Sequence, residues 1–253
     1  MQPYHKTQGI VLKTRKYSES SKLLTIYTRE LGRINALAKG ARKIKSRFGS
    51  SLEVFTESKF LFYKQPSAGL YVVSQSQILA PHKALYSFQD KFAAASVMAD
   101  FLYTHTIQAE AHEELYRFFR ASLKELELTE APQNVLLSFM LKFLTVAGYG
   151  LQLKTCSSCG SGAAESGRDC RLSAKHGGVL CEACSRKEGD SVVIGAAALK
   201  ALSFLQEKGY KVTANLKLDD TSSDEIKKVI NNFLKYNYDY ELKSLRVMEE
   251  IVK

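Results

Sequence analysis

The chain has 253 residues, 45% hydrophobic and 25% charged, which is the composition of folded domains and enough length for two of them. Its formal net charge is +10, and the whole excess falls in residues 1–80, which hold 14 Lys and Arg against 4 Asp and Glu, while residues 81–253 hold 22 of each. Charge of one sign on one module steers a polyanion, nucleic acid above all; the absence of an ~18-residue apolar run or an apolar signal region argues against a membrane or secreted protein and for a cytosolic one.

The first 80 residues read as β-structure. Gln8–Lys16, Lys22–Thr28, Arg33–Lys39, Glu53–Tyr63 and Leu70–Leu79 are rich in β-branched and aromatic residues and are separated by turn-prone breaks, including Pro66–Gly69. Five short strands in so few residues suggest a small closed barrel. The OB-fold is the five-stranded barrel most used for single-stranded nucleic acid. Between the third and fourth strands, Lys39, Arg42, Lys43, Lys45 and Arg47 place five cations in nine residues, followed by Phe48. Arg15, Lys16, Lys22 and Arg33 add charge to the same module. Lys and Arg can follow a phosphate backbone, and Phe48 is either a base-stacking ring or a core plug. The candidate nucleic-acid contacts are therefore Arg15, Lys16, Arg33, Lys39, Arg42, Lys43, Lys45 and Arg47. Phe55, Phe60, Phe62 and Tyr71 are expected to fill the barrel.

After Pro81 the apolar spacing changes to steps of three and four. It predicts a helix with one apolar face through Leu85, Phe88, Phe92, Ala95, Ala99 and Leu102, a second through Leu115–Leu126, and a third opened by Pro132 and stopped at Gly148–Gly150. Helices are predicted again over Ala196–Lys208 and over Asp224–Tyr236, the latter with Ser222 or Ser223 as N-cap, and Glu241–Val252 could close the chain. The organisation read from this is an α+β, multi-domain protein. Residues 1–80 form an OB-fold barrel and residues 81–253 a helical domain carrying an insertion at 154–189.

That insertion holds two CxxC pairs, Cys156/Cys159 and Cys181/Cys184. Each can turn two thiolates towards one ion. Four thiolates suit Zn²⁺ in a closed tetrahedral site at ~2.3 Å, structural and not catalytic. Gly160 helps the first turn close, and Gly177-Gly178 lets the chain double back before the second. Cys170 is the odd cysteine and His176 a weaker spare ligand. No phosphate-binding glycine loop, HExxH, GxSxG or two-metal carboxylate cluster is present, which argues against an enzyme.

The chain resembles the bacterial recombination-mediator family RecO. The residues that carry the resemblance are Gly9–Arg15 followed by Tyr17–Thr25, Thr28–Gly32, Lys39–Arg42, Gly148–Leu153 leading into Cys156–Cys159, and Gly177–Cys181. They run over the whole length in the family's order. The resemblance implies a non-enzymatic DNA-repair protein of the RecF pathway. Such a protein binds single- and double-stranded DNA, anneals complementary strands, and with RecR helps RecA replace single-stranded DNA-binding protein. It also implies contact between the helical domain and the acidic C-terminal tail of that binding protein, and a nucleoid-associated cytoplasmic location in a bacterium. An RNA-binding or transcription-associated zinc protein is the alternative from the residues alone.

Overall fold

The computed structural model describes residues 4–64, 70–162 and 170–238. The predicted turn at 66–69 and the closing helix at 241–252 lie outside them. The chain divides into two compact units, Met1–Glu127 and Leu128–Lys253.

In the first unit, β1 (Tyr4–Lys16), β2 (Lys22–Thr28), β3 (Gly32–Ala38), β4 (Glu57–Lys64) and β5 (Tyr71–Ala80) close a barrel in the order β1-β2-β3-β5-β4. β1 pairs antiparallel with both β2 and β4, and the parallel β3–β5 pair, Ala36 opposite Tyr71, completes the ring. The five-stranded OB-type barrel is thus present, and no open edge remains. Alternate residues point inward, so Leu24 and Ile26 of β2, Ile34 and Ala36 of β3, and Phe60 and Phe62 of β4 meet in one core with Val11 and Val73. The long β3–β4 connection folds back through a single 3₁₀ turn, Gly49–Leu52, which drives Phe48 and Leu52 into that core. Phe48 is only 4% exposed, so it is a plug and not a stacking ring.

Two helices pack within this unit: α1 (Gln89–His105) and α2 (Glu113–Leu128). Leu85 falls in a separate 3₁₀ turn, Lys83–Ser87, so α1 begins later than its apolar spacing suggested. A buried carboxylate ties α2 to the barrel. Glu57, 1% exposed at the start of β4, accepts from the Tyr116 hydroxyl at 2.8 Å and from Arg120 Nε at 2.9 Å. A buried charge is tolerated only where such partners satisfy it. Lys91 Nζ donates to the Glu127 carbonyl at 3.1 Å at the other end of α2.

The second unit is built around α3 (Pro132–Leu144), which is buried on nearly every side and ends in a π-type turn where Gly148 takes φ +86°. After it come β6 (Cys170–Ser173), β7 (Gly178–Leu180), the one-turn α4 (Glu182–Ser185) and β8 (Val192–Ile194), the strands forming a small sheet in the order β7-β6-β8. Helices α5 (Ala196–Glu207), α6 (Tyr210–Thr213) and α7 (Asp220–Tyr238) follow. The start of α7 differs from expectation. Asp219, not Ser222 or Ser223, is its cap, accepting from the Ser222 N–H at 2.8 Å and the Ser222 hydroxyl at 2.9 Å.

A helix buried all round must satisfy its polar side chains internally. Asn134 Nδ2 reaches the Leu216 carbonyl at 2.7 Å, and Ser138 Oγ the Leu205 carbonyl at 2.8 Å. Lys142 Nζ donates to Ser138 Oγ at 2.8 Å and to the Leu205 and Gln206 carbonyls at 2.9 and 3.3 Å, capping α5 from inside. It sits 5.2 Å from the Tyr210 ring centroid. Burial pushes the Lys142 pKa down from 10.5 to about 8. Between these values the unfolded chain holds a proton that the native state has released, so this group adds stability as pH rises through the window and adds none below it. Denaturant titrations at pH 7.5 and 10.5 should therefore show the wild type gaining stability relative to Lys142→Met at the higher pH. A difference that does not change with pH would contradict this account of Lys142.

Candidate nucleic-acid surface and thiol cluster

Strand register decides where the cations go. Lys16 pairs with Lys22, and Lys22 pairs with Ala38 on its other side, so the end of β1, the start of β2 and the end of β3 lie side by side on one rim of the barrel. Lys39 continues from that rim into the loop. Arg42 binds the loop to the β1–β2 turn. Its backbone N–H donates to the Ser20 carbonyl at 3.0 Å, and its Nη1 donates to the Ser18 and Glu19 carbonyls at 3.0 and 2.7 Å. Arg15, Lys16, Lys39, Lys43, Lys45 and Arg47 are exposed on this rim. Among the described residues, none of the six has a carboxylate within ion-pair distance. Lys22 is the rim cation with a partner, Glu53 at 3.1 Å. Arg47 lies over the Phe48 ring, 5.0 Å from its centroid.

Arg33 is not part of this group. It pairs with Tyr27 near the start of β3, at the opposite end of the strand from Lys39. Its Nε and Nη2 donate to the Thr106 carbonyl at 3.2 and 2.8 Å, and it lies 5.0 Å from the Tyr103 ring centroid. It fastens the α1–α2 connection to the barrel. Nothing in local sequence separates Arg33 from Lys39; only the strand's length and direction do.

The four cysteines of the two CxxC pairs converge in the second unit. Their sulfur atoms all lie within 4.8 Å of one another, with Cys159 and Cys181 at 3.7 Å. A tetrahedron of ~2.3 Å zinc–sulfur bonds has edges of roughly 3.8 Å, so the donor set fits such an ion. The first turn closes through Gly160, φ +76°, whose N–H donates to the Cys156 carbonyl at 2.8 Å. β7 then brings the second pair to the first. Ser157 N–H donates to the Val179 carbonyl at 2.8 Å and Val179 N–H to the Gln152 carbonyl at 2.9 Å. The approach is so close that a Cβ on Gly178 would stand 2.1 Å from the Gln152 oxygen. Cys181 caps α4, which carries Cys184 round on one turn.

The thiols differ in acidity. Burial opposes ionisation of Cys156, but the backbone N–H groups of Cys181, Cys159 and Ser158 outweigh it and hold its pKa well below the ordinary thiol value. The Cys184 N–H likewise lowers Cys181. At Cys184 a hydrogen bond with Ser158 favours the thiolate, but the neighbouring sulfurs of Cys181 and Cys159 outweigh it and push its pKa up to about 11. Hydrogen bonding to the neighbouring sulfurs thus keeps the Cys184 proton in place, and a central dication would displace it. Cys170 is buried on β6, outside the four-sulfur group. His176 does not join that group either; its Nε2 contacts Glu188 at 2.9 Å, and Lys175 reaches the same carboxylate at 3.0 Å.

Residues 1–82 match the family model for the recombination protein O N-terminal region, and residues 89–246 match the model for its C-terminal region. The chain is 30% identical over 245 residues to the DNA repair protein RecO of Thermoanaerobacter sp. (strain X514), covering 94% of each chain. It is 28% identical over 251 residues to the DNA repair protein RecO of Alkaliphilus metalliredigens, covering 97% of this chain and 99% of the relative. The corresponding protein of Frankia casuarinae is 34% identical over 204 residues, 79% of this chain and 81% of the relative. Two family models in sequence over nearly the whole length, on a barrel followed by a helical unit with a four-cysteine cluster, place this chain in the RecO family of DNA repair proteins.

Proposed function

We propose that this protein is a DNA repair and recombination mediator of the RecF pathway, not an enzyme. It binds single- and double-stranded DNA through their phosphates, anneals complementary strands, and with RecR helps RecA load onto DNA coated by single-stranded DNA-binding protein. The observation that carries this reading is the rim of Arg15, Lys16, Lys39, Lys43, Lys45 and Arg47, exposed and without carboxylate partners among the described residues on an OB-type barrel. Phosphate contacts fix position but carry little sequence information, so binding is general. A cationic rim that holds two strands lowers their mutual repulsion and favours pairing. Arg42 organises the rim by holding the loop to the β1–β2 turn, and Arg33 supports the barrel from its other end. The acidic tail of single-stranded DNA-binding protein and RecA, the latter indirectly, are the partners on the helical side of the reading. No helix among the described residues is long and apolar enough to cross a membrane, and we place the protein in the cytoplasm, with the nucleoid.

Cys156, Cys159, Cys181 and Cys184 would hold one Zn²⁺ with no open position, a structural site. When bound, the ion supplies charge neutralisation and cross-linking of the two CxxC turns. The two CxxC turns are largely exposed and bury little apolar surface of their own, so metal affinity and local folding are coupled there.

In Lys39→Ala/Lys43→Ala/Lys45→Ala, the log–log salt slope for single-stranded DNA should become shallower by about 2, following ~0.7 per phosphate contact, with an unchanged circular dichroism spectrum. A slope equal to that of the wild type contradicts the assignment of the rim. Tighter binding of matched RNA than of DNA in the same titration would favour an RNA-binding zinc protein instead. For the metal, elemental analysis should find stoichiometric zinc in the wild type and none in Cys159→Ser/Cys184→Ser. That variant should show faster proteolysis within residues 154–189 and an unchanged salt slope. Wild-type protein purified without metal and equally resistant to proteolysis would overturn the structural role.

A further inference from the structure

With Phe48 buried, the ring the rim itself presents is Tyr17, 61% exposed on the β1–β2 turn. Exposed rings lie nearby, where the chain leaves the barrel. Tyr86, Phe88 and Phe92 are 50%, 51% and 39% exposed, three large aromatic side chains within seven residues. Tyr86 and Phe92 rest on Phe55, whose ring centroid is 5.4 Å from Phe92 and 6.4 Å from Tyr86, and the two are 5.5 Å apart; Phe88 lies two residues from Tyr86 on the same turn into α1. Phe55 is buried at φ +66°, a conformation that a bulky residue adopts only when its surroundings enforce it. The enforcing bonds run to β1: Phe55 N–H to the Val11 carbonyl at 2.8 Å, and Val11 N–H to the Thr56 carbonyl at 3.3 Å. The Tyr86 hydroxyl donates to the Val54 carbonyl, and Lys91 Nζ lies 4.7 Å from the Phe88 ring centroid. The ring cluster is thus a fixed feature of the surface.

It also adjoins the rim. Val54 follows Glu53, and the Glu53 carboxylate pairs with the rim cation Lys22. One side of Val54 therefore leads to the cations and the other holds Tyr86. We propose that Tyr86, Phe88 and Phe92 form a base-stacking step for single-stranded nucleic acid whose phosphates lie on the rim, an inference that rests on the nucleic-acid reading above. The unpaired cations call for a polyanion, and rings beside them suit one whose flat apolar groups are accessible. Only an unpaired strand offers those faces; a duplex has already stacked them internally. The rim then holds both forms of nucleic acid, while the step favours the unpaired one, and pairing of two strands withdraws the bases from it and eases release of the product.

The test uses the full chain, a labelled oligonucleotide and its duplex, and binding titrations across salt for the wild type, Tyr86→Ala/Phe88→Ala, Tyr86→Phe and Phe88→Tyr. At roughly 1–3 kcal/mol per stacked base, the double alanine variant should lose about tenfold or more in single-strand affinity. Its duplex affinity and salt slope should stay unchanged, and the two ring-preserving variants should behave as wild type. Unchanged single-strand affinity overturns the step and leaves the rings as a surface for a protein partner. Equal losses on both forms also overturn it, because they signal general disruption. If wild-type binding is insensitive to salt, the nucleic-acid reading itself fails, an outcome separable from a normal slope with an unmoved single-strand to duplex ratio.

Discussion

The pairing of the barrel strands sets Lys16, Lys22 and Lys39 on one rim, and the proposed binding surface depends on this constraint. Like charges held side by side repel, and among the described residues the ion pair formed on Lys16, Lys22 and Lys39 is that of Glu53 with Lys22. Arg42 aims its guanidinium at the carbonyls of residues 18 and 19, which fixes the loop without neutralising it. The rim is therefore a standing positive potential whose relief comes from outside the molecule. A bound polyanion would provide that relief, with affinity that falls as salt rises.

The barrel is held in shape by buried and half-buried polar groups. Glu57 is acceptable in the first unit because Tyr116 and Arg120 complete it. Arg33 and the Thr106 carbonyl fix the connection that follows α1. The second unit uses the same device on α3, where Lys142 caps α5 from within. Its smaller sheet is organised differently. There, backbone contacts to β7 bring two thiol pairs within 4.8 Å, the spacing of a donor set for one metal ion.

Much of this was legible in the sequence because it is local. The alternation of Leu24 and Ile26, the turn-prone breaks and the CxxC spacing each report on neighbours a few residues away, and the barrel, the helices and the thiol cluster follow from them. What was not legible depends on register and tertiary contact. Arg33 and Lys39 are both basic residues of one strand region, but strand direction sends one to a helix connection and the other to the rim. Phe48 follows a run of cations and resembles a stacking ring in sequence, yet the 3₁₀ turn after it returns it to the core. Asp219 displaced the expected serine caps because its carboxylate takes both Ser222 donors. Strands β6 to β8 were hidden in a polar, cysteine-rich stretch whose pairing carries little periodic signal. Phe55 gave no sign that its backbone would turn left-handed beneath Tyr86 and Phe92.

The central claim is that an unpaired cationic rim brings two nucleic-acid strands together. Its most direct test is the annealing rate of two complementary labelled oligonucleotides, with and without this protein, as ionic strength is raised and with no nucleotide cofactor. The account predicts a large acceleration at low salt that declines steeply as salt increases and persists on strands coated by the cognate single-stranded DNA-binding protein. An absent acceleration, or one indifferent to salt, would contradict it.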